Sequence, residues 1–153
     1  MKKNTPQPGA ILNRRARFDY ELGDELVTGI ELTGPEVRAA RDGHVQLKGS
    51  FVTIKDRELL LSNASFSVKP TLLKANEGRT VDTRPRKLLA HRKQIDQLAE
   101  KRQAGFTIVP LRLLTKGRHI KVVISLGKGK KLYDKRQALK RRDQEREARR
   151  EMK

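Results

Sequence analysis

Beyond Leu126 the sequence offers almost nothing that a core could use, and this limits what the chain can fold into. From Gly127 to Lys153 there are 12 Lys+Arg against 5 Asp+Glu. The few apolar residues there, among them Leu132, Leu139 and Met152, do not recur at the i, i+3, i+4, i+7 spacing that lets a helix pack on a body. A folded domain must therefore come from residues 1–126, a length that suits one domain and excludes a large two-domain enzyme. That body holds the other 24 cations against 13 anions, so the net charge of +18 divides between both parts and is densest in the tail.

The tail is nevertheless rich in Gln, Ala, Leu, Lys, Arg and Glu and has no Gly or Pro after Gly129, a composition that favours helix. Glu145 with Arg149 at i+4, and Asp143 with Arg146 and Glu147 with Arg150 at i+3, would each add about 0.2–0.5 kcal/mol to one. Isolated helices are marginal, so the segment is expected to be disordered when free and helical against a polyanion. A permanently solvated helix is the plainer alternative. Gly127-Lys128-Gly129-Lys130-Lys131 lacks the spacing of a phosphate-binding GxxxxGK[ST] loop and reads as a flexible hinge ahead of the tail.

The body reads mainly as short strands, a closed or sandwich sheet. Arg14 to Leu22, Leu26 to Leu32, Val45 to Ile54, Arg57 to Ser62, Phe106 to Thr115 and His119 to Leu126 carry alternating or continuous apolar runs between turn signals. Asp56-Arg57 and Lys116-Gly117-Arg118 look like hairpin turns. Thr33-Gly34-Pro35-Glu36 opens a short helix that Gly43 ends, with Val37, Ala40 and Ala39 facing inward. A longer helix is expected from Pro85 to Gln103, and Lys69 to Arg84 reads as an exposed loop.

Several chemistries lack support. There is no Cys, which removes disulfides, thiolate catalysis and Cys-based zinc sites and suits a reducing cytosol. His44, His91 and His119 form no metal-ligand pair, and no GxSxG elbow or acid/base dyad is visible. The N-terminus has no apolar signal region, and no stretch approaches the roughly 18 apolar residues of a membrane span. The chain is expected to be a soluble, cytoplasmic monomer without cofactor or catalytic activity.

What remains is charge. An excess of 18 cations favours a polyanion, nucleic acid before membrane, since no basic segment has a large apolar face. A basic surface without specific partner is the alternative. The first cluster is Asn13-Arg14-Arg15-Ala16-Arg17-Phe18-Asp19-Tyr20, where strand alternation would put Arg15, Arg17 and Asp19 on one face and Phe18 and Tyr20 on the other. The second is Thr83-Arg84-Pro85-Arg86-Lys87-Leu88-Leu89-Ala90-His91-Arg92-Lys93, at the expected start of the long helix. Cations there oppose the macrodipole unless an anion is bound.

Four stretches together resemble the SsrA-binding protein (small protein B) family of bacteria. They are Asn13 to Tyr20, Leu32-Thr33-Gly34-Pro35-Glu36-Val37-Arg38, Arg86-Lys87-Leu88-Leu89 with His91, and Lys128-Gly129-Lys130-Lys131-Leu132-Tyr133-Asp134-Lys135-Arg136. Gly105-Phe106-Thr107-Ile108-Val109-Pro110-Leu111 is similar as well. The resemblance implies a non-catalytic factor of trans-translation with an OB-type antiparallel β-barrel and two or three helices. Its division would be a flexible N-terminus at 1–12, the barrel at 13–126 and the basic tail at 127–153.

The same resemblance implies that the barrel binds the tRNA-like domain of transfer-messenger RNA (tmRNA) and carries it to stalled ribosomes. The RNA-binding residues would be Asn13, Arg14, Arg15, Arg17, Tyr20, Arg86, Lys87 and Leu89. The tail would enter the vacant messenger channel and meet small-subunit rRNA at the decoding site through Lys130, Lys131, Tyr133, Asp134, Lys135 and Arg136, with Gly129 as hinge. Val27 departs from the pattern, standing where many members carry a Glu, so that this contact is either lost or supplied by Glu25 or Glu31. A barrel that binds ribosomal RNA without tmRNA specificity is the competing reading.

Overall fold

A computed structural model of the chain describes residues 9–68, 80–130 and 132–151, with side chains from 135 onward in the last stretch. The chain opens with strand β1 (Ala10–Leu12), helix α1 (Arg14–Asp19), strand β2 (Tyr20–Ile30) and helix α2 (Gly34–Arg41). Strands β3 (Val45–Gln46), β4 (Phe51–Lys55), β5 (Glu58–Ser62), β6 (Ser65–Val68), β7 (Thr80–Asp82) and β8 (Arg86–Leu89) follow. Helix α3 (Arg92–Gln103), strands β9 (Thr107–Leu114) and β10 (Lys121–Gly129), and helix α4 (Leu132–Glu151) complete it.

Seven strands form one antiparallel sheet in the order β1-β9-β10-β2-β8-β5-β4, and a further pairing of Val52 with Ile108 joins β4 to β9. The sheet thus closes into a ring of six strands with β1 added on β9. β3, β6 and β7 make a separate three-stranded sheet. Alternation along each strand sends Val52, Leu59, Leu61, Leu88, Ile108 and Ile124 into the main core, where α2 adds Ala40 and α3 adds Leu98. A second, smaller core of Val109, Leu111 and Val123 lies on the other face of β9 and β10, covered by Ala16 of α1.

Local signals explain the parts that match expectation. The backbone N–H and hydroxyl of Thr33 donate to Glu36 Oε1 at 3.2 and 2.9 Å, which ties the N-cap to the first turn of α2. Gly43 (φ +82°) ends it, with Ala39 and Ala40 buried. Asp56 and Arg57 both have positive φ, 51° and 62°, and turn β4 directly into β5 with Lys55 opposite Glu58, the two-residue geometry that matches strand twist.

Several expectations are overturned. Arg14–Asp19 is helical and the strand begins only at Tyr20. Ala16 and Tyr20, four apart, both pack on the second core, and Arg15 pairs with Asp19 at 3.1 Å across one turn. Gly23-Asp24 is no strand boundary, because β2 runs through it and absorbs a register shift against Ser125 to Gly127. Val45 to Ile54 is two strands, divided by a turn in which Gly49 has φ +75°. Residues 86–89 are strand β8, and the helix starts at Arg92, because Arg86 and Leu88 point inward while Lys87 and Leu89 do not.

The limits of the body shift as well. Ala10–Leu12 pairs with Leu114 to Arg112, so the end of the expected flexible N-terminus is sheet; residues 1–8 lie outside the described residues. Part of the expected loop, 69–79, lies outside them too, and its residues 80–82 are β7. β10 continues through Gly127, Lys128 and Gly129, opposite Leu22, Glu21 and Tyr20, so the tail leaves the body three residues later than composition suggests.

Candidate nucleic-acid interface

Helix α1 carries the first cluster. Arg14, Arg15 and Arg17 are exposed, whereas Asn13 is buried at 7% exposure. A register shift between Val123 and Ile124 leaves Leu111 as the extra residue of β9, since Arg112 and Pro110 face consecutive residues of β10. The Asn13 backbone N–H donates to the Leu111 carbonyl, and its side-chain amide donates to the Pro110 carbonyl, both at 2.8 Å. Such a bulge disrupts the local ladder, and Asn13 serves the carbonyls beside it. It is therefore a residue beneath the surface that sets where α1 begins.

Arg86, the other expected contact, is placed out of reach of any ligand. Its side chain is fully buried and its guanidinium lies 3.9 Å from the Phe66 ring centroid. It donates to the Glu36 carboxylate, to the carbonyls of Arg84 (2.8 Å) and Asp82 (3.2 Å), and to that of Ala64 (3.3 Å). Arg84 also donates to Glu36. Burial pushes the Glu36 carboxyl up, but hydrogen bonds from Arg86, Thr33 and Arg84 outweigh it and hold the group below its ordinary value. Sequence reading missed Glu36 as the anchor of α2 to β8, although Thr33-x-x-Glu36 is a capping-box signal.

The outward residues of β8 do remain available. Lys87 is ion-paired to Glu58 at 3.1 Å, which raises its pKa, and Leu89 is 47% exposed. Leu89 faces Gly29 on β2, and Val27, 53% exposed, faces Val123 of the second core. Opposed residues on antiparallel strands share a face, so α1, Val27 and Leu89 occupy one outer surface across β10, β2 and β8. Of the two carboxylates near Val27, Glu25 is held by Arg112 at 3.2 Å and Glu31 acts on Lys87.

The tail is joined to this surface. The backbone N–H of Lys130 donates to the Asp19 carbonyl at 3.0 Å, and its ammonium donates to the Arg17 carbonyl at 3.1 Å. Lys135 reaches Asp19 Oδ1 at 3.2 Å, and the Arg142 guanidinium lies 5.8 Å from the centroid of Phe18. Burial pushes the Asp19 carboxyl up, while hydrogen bonds and charge from Arg15 and Lys135 bring it below its ordinary value. Two expected decoding-site cations, Lys130 and Lys135, thus touch α1 in the chain alone. Arg136 is exposed. Lys131 lies outside the described residues, and Tyr133 and Asp134 fall within α4.

The expected hinge has another explanation at one of its glycines. A Cβ on Gly127 would stand 2.9 Å from the Cβ of Tyr20, which half-buries its ring on the second core. Gly127 is there for close packing. Gly129 meets nothing within 4 Å and lies in strand. Among the described residues no group of His, Asp and Glu could hold a metal ion, and no helix is long and apolar enough to cross a membrane. Cations, one exposed apolar pair and a sheet-rooted basic helix suit the arrangement to contacting phosphates.

A family model described as SmpB protein matches residues 10–153. The SsrA-binding protein of Ligilactobacillus salivarius is 41% identical over 155 residues, 100% of this chain and 98% of that protein. Its counterpart from Shouchella clausii is 44% identical over 142 residues, 92% of this chain and 89% of the relative. Among solved structures, a chain from "tmRNA-SmpB: a journey to the center of the bacterial ribosome" superposes with a TM-score of 0.63 at 37% identity, over 81% of this chain and 86% of that one. The antiparallel ring and its connected helices thus have a solved counterpart, and the chain belongs to the SmpB family of SsrA-binding proteins.

Proposed function

We propose that the chain is an RNA-binding factor of trans-translation that holds the tRNA-like domain of tmRNA and delivers it to stalled ribosomes. The observation that carries this reading is the outer surface on which Arg14, Arg15 and Arg17 of α1 and Lys87 and Leu89 of β8 lie on one side of the ring. Tyr20 supports that surface from the second core. Asn13 and Arg86 act beneath it, fixing α1 and β8. The tail beyond Gly129 meets small-subunit rRNA in the vacant messenger channel, with Lys130, Lys131, Tyr133, Asp134, Lys135 and Arg136 at the decoding site. The factor acts in the cytoplasm as a monomer without catalysing a reaction.

Filter binding of the full chain to the tRNA-like domain of tmRNA, beside an unrelated RNA duplex of equal length, tests this. Tight binding to the former is expected, with a log-log salt slope of about −3 from the exposed cations. Equal affinity for both RNAs would sink the reading.

A further inference from the structure

The docking of α4 on α1 creates a groove that neither helix has alone. Its volume is about 690 Å³, inside the range of about 300–1,000 Å³ usual for small-ligand sites. Leu12, Phe18 and Leu139 supply apolar lining, and Arg14, Lys48 and Arg142 supply charge. Leu12 and Leu139 are 48% and 47% exposed. Arg15 and Arg142 each place a guanidinium 5.8 Å from the Phe18 centroid, near the limit of about 6 Å for a cation–π contact. No Asp or Glu among the described residues lines the groove.

This lining selects among occupants by chemistry. A hydrocarbon would leave the cations without partners, and inorganic phosphate would leave the leucines and the ring uncovered. A peptide of Asp and Glu would satisfy the charge but has no aromatic ring to stack on Phe18. A nucleotide of single-stranded RNA satisfies both, because unstacked bases lie on aromatic and guanidinium planes while phosphates pair with Arg and Lys.

We propose that the α1–α4 groove binds a single-stranded RNA segment, with a base against Phe18 and Leu139 and its phosphates on Arg14, Lys48 and Arg142. An occupant would bridge body and tail, so RNA in the groove holds α4 in its docked position. The ligand class rests on the RNA-binding reading above, but the site is separate from the Lys87 and Leu89 end of that surface.

The test is fluorescence anisotropy of fluorescein-labelled hexauridylate with the full chain and with Leu139→Gln and Arg142→Gln. Both positions are exposed, and circular dichroism verifies that folding is retained. Each change is expected to weaken hexauridylate binding at least fivefold while affinity for the tRNA-like domain of tmRNA stays within twofold. Unchanged hexauridylate affinity in both variants overturns the proposal. So does displacement of the probe by hexaglutamate as effective as by unlabelled hexauridylate, since charge alone would then explain binding. If the tRNA-like domain fails to bind while hexauridylate still depends on Leu139 and Arg142, the groove stands and the tmRNA reading falls.

Discussion

The side-chain amide of Asn13 donates to the carbonyl of Pro110 at 2.8 Å across 97 residues of sequence. That bond fastens the start of α1 to the bulged strand β9. Asn13→Ala would leave a buried carbonyl without its donor, at about 1–3 kcal/mol. Urea unfolding should show a loss in that range, and RNA affinity should recover when binding is measured well below the lowered melting temperature. Wild-type stability with reduced affinity would instead make Asn13 a direct contact.

Arg86 and Glu36 form the buried pair that ties β8 to α2. Removing one member of such a pair costs about 3–5 kcal/mol where the other is left charged and buried without compensation, and Arg84 and Thr33, which also donate to Glu36, offset part of that. Arg86→Ala should therefore be among the most damaging single changes in the body. A decline in tmRNA affinity at unchanged stability would contradict this.

The same pair predicts an acid limit. The Glu36 carboxyl lies below its ordinary 4.5 in the folded chain. A group lowered on folding contributes stability that is complete above its unfolded value and is lost as pH falls through its folded one, because the unfolded chain binds the proton first. Melting temperature should decline below about pH 4.5, and Glu36→Gln should be less stable at neutral pH but flatter across that window.

Gly127 and Gly129 differ in what an added side chain would meet. Gly127→Ala forces a methyl group toward Tyr20 in a buried strand, an overpacking cost of about 1–3 kcal/mol. Gly129→Ala meets open space and should stay within about 0.5 kcal/mol of wild type. Thermal melts of the two variants decide it, and equal sensitivity would refute the assignment.

For the tail, a chain ending at Lys130 keeps β10 intact through Gly129. It should bind tmRNA within a few fold of the full chain yet fail to support tagging on stalled ribosomes. Lys135→Ala with Arg136→Ala should impair the ribosomal step before tmRNA binding. A truncated chain that still tags would show that the tail has no separate task.

The sequence disclosed α2 and the β4–β5 turn because their signals are local: Thr33, Pro35 and Gly43 for one, two adjacent polar residues for the other. It misdirected at α1 because Ala16, Phe18 and Tyr20 are evenly spaced, and a separation of four satisfies both a strand's alternation and a helix's turn. Arg86 was misread for a different reason. A buried cation looks like surface charge until its partners are located, and Glu36 lies 50 residues away. The exposure of Arg14, Arg15 and Arg17 was legible because none of these side chains is held by a distant residue, although the position of α1 itself is set by Asn13 on Pro110.

The emergence of the tail directly from β10 gives α4 the character of a lever. Its 20 residues make a rod about 30 Å long at 1.5 Å per residue, starting three residues beyond Gly129, which pairs with Tyr20. At that length, each degree of rotation at the mount displaces the tip by about 0.5 Å. Where the far end points is therefore decided at its base, by Lys130 on the carbonyls of Arg17 and Asp19 and by Lys135 on the Asp19 carboxylate.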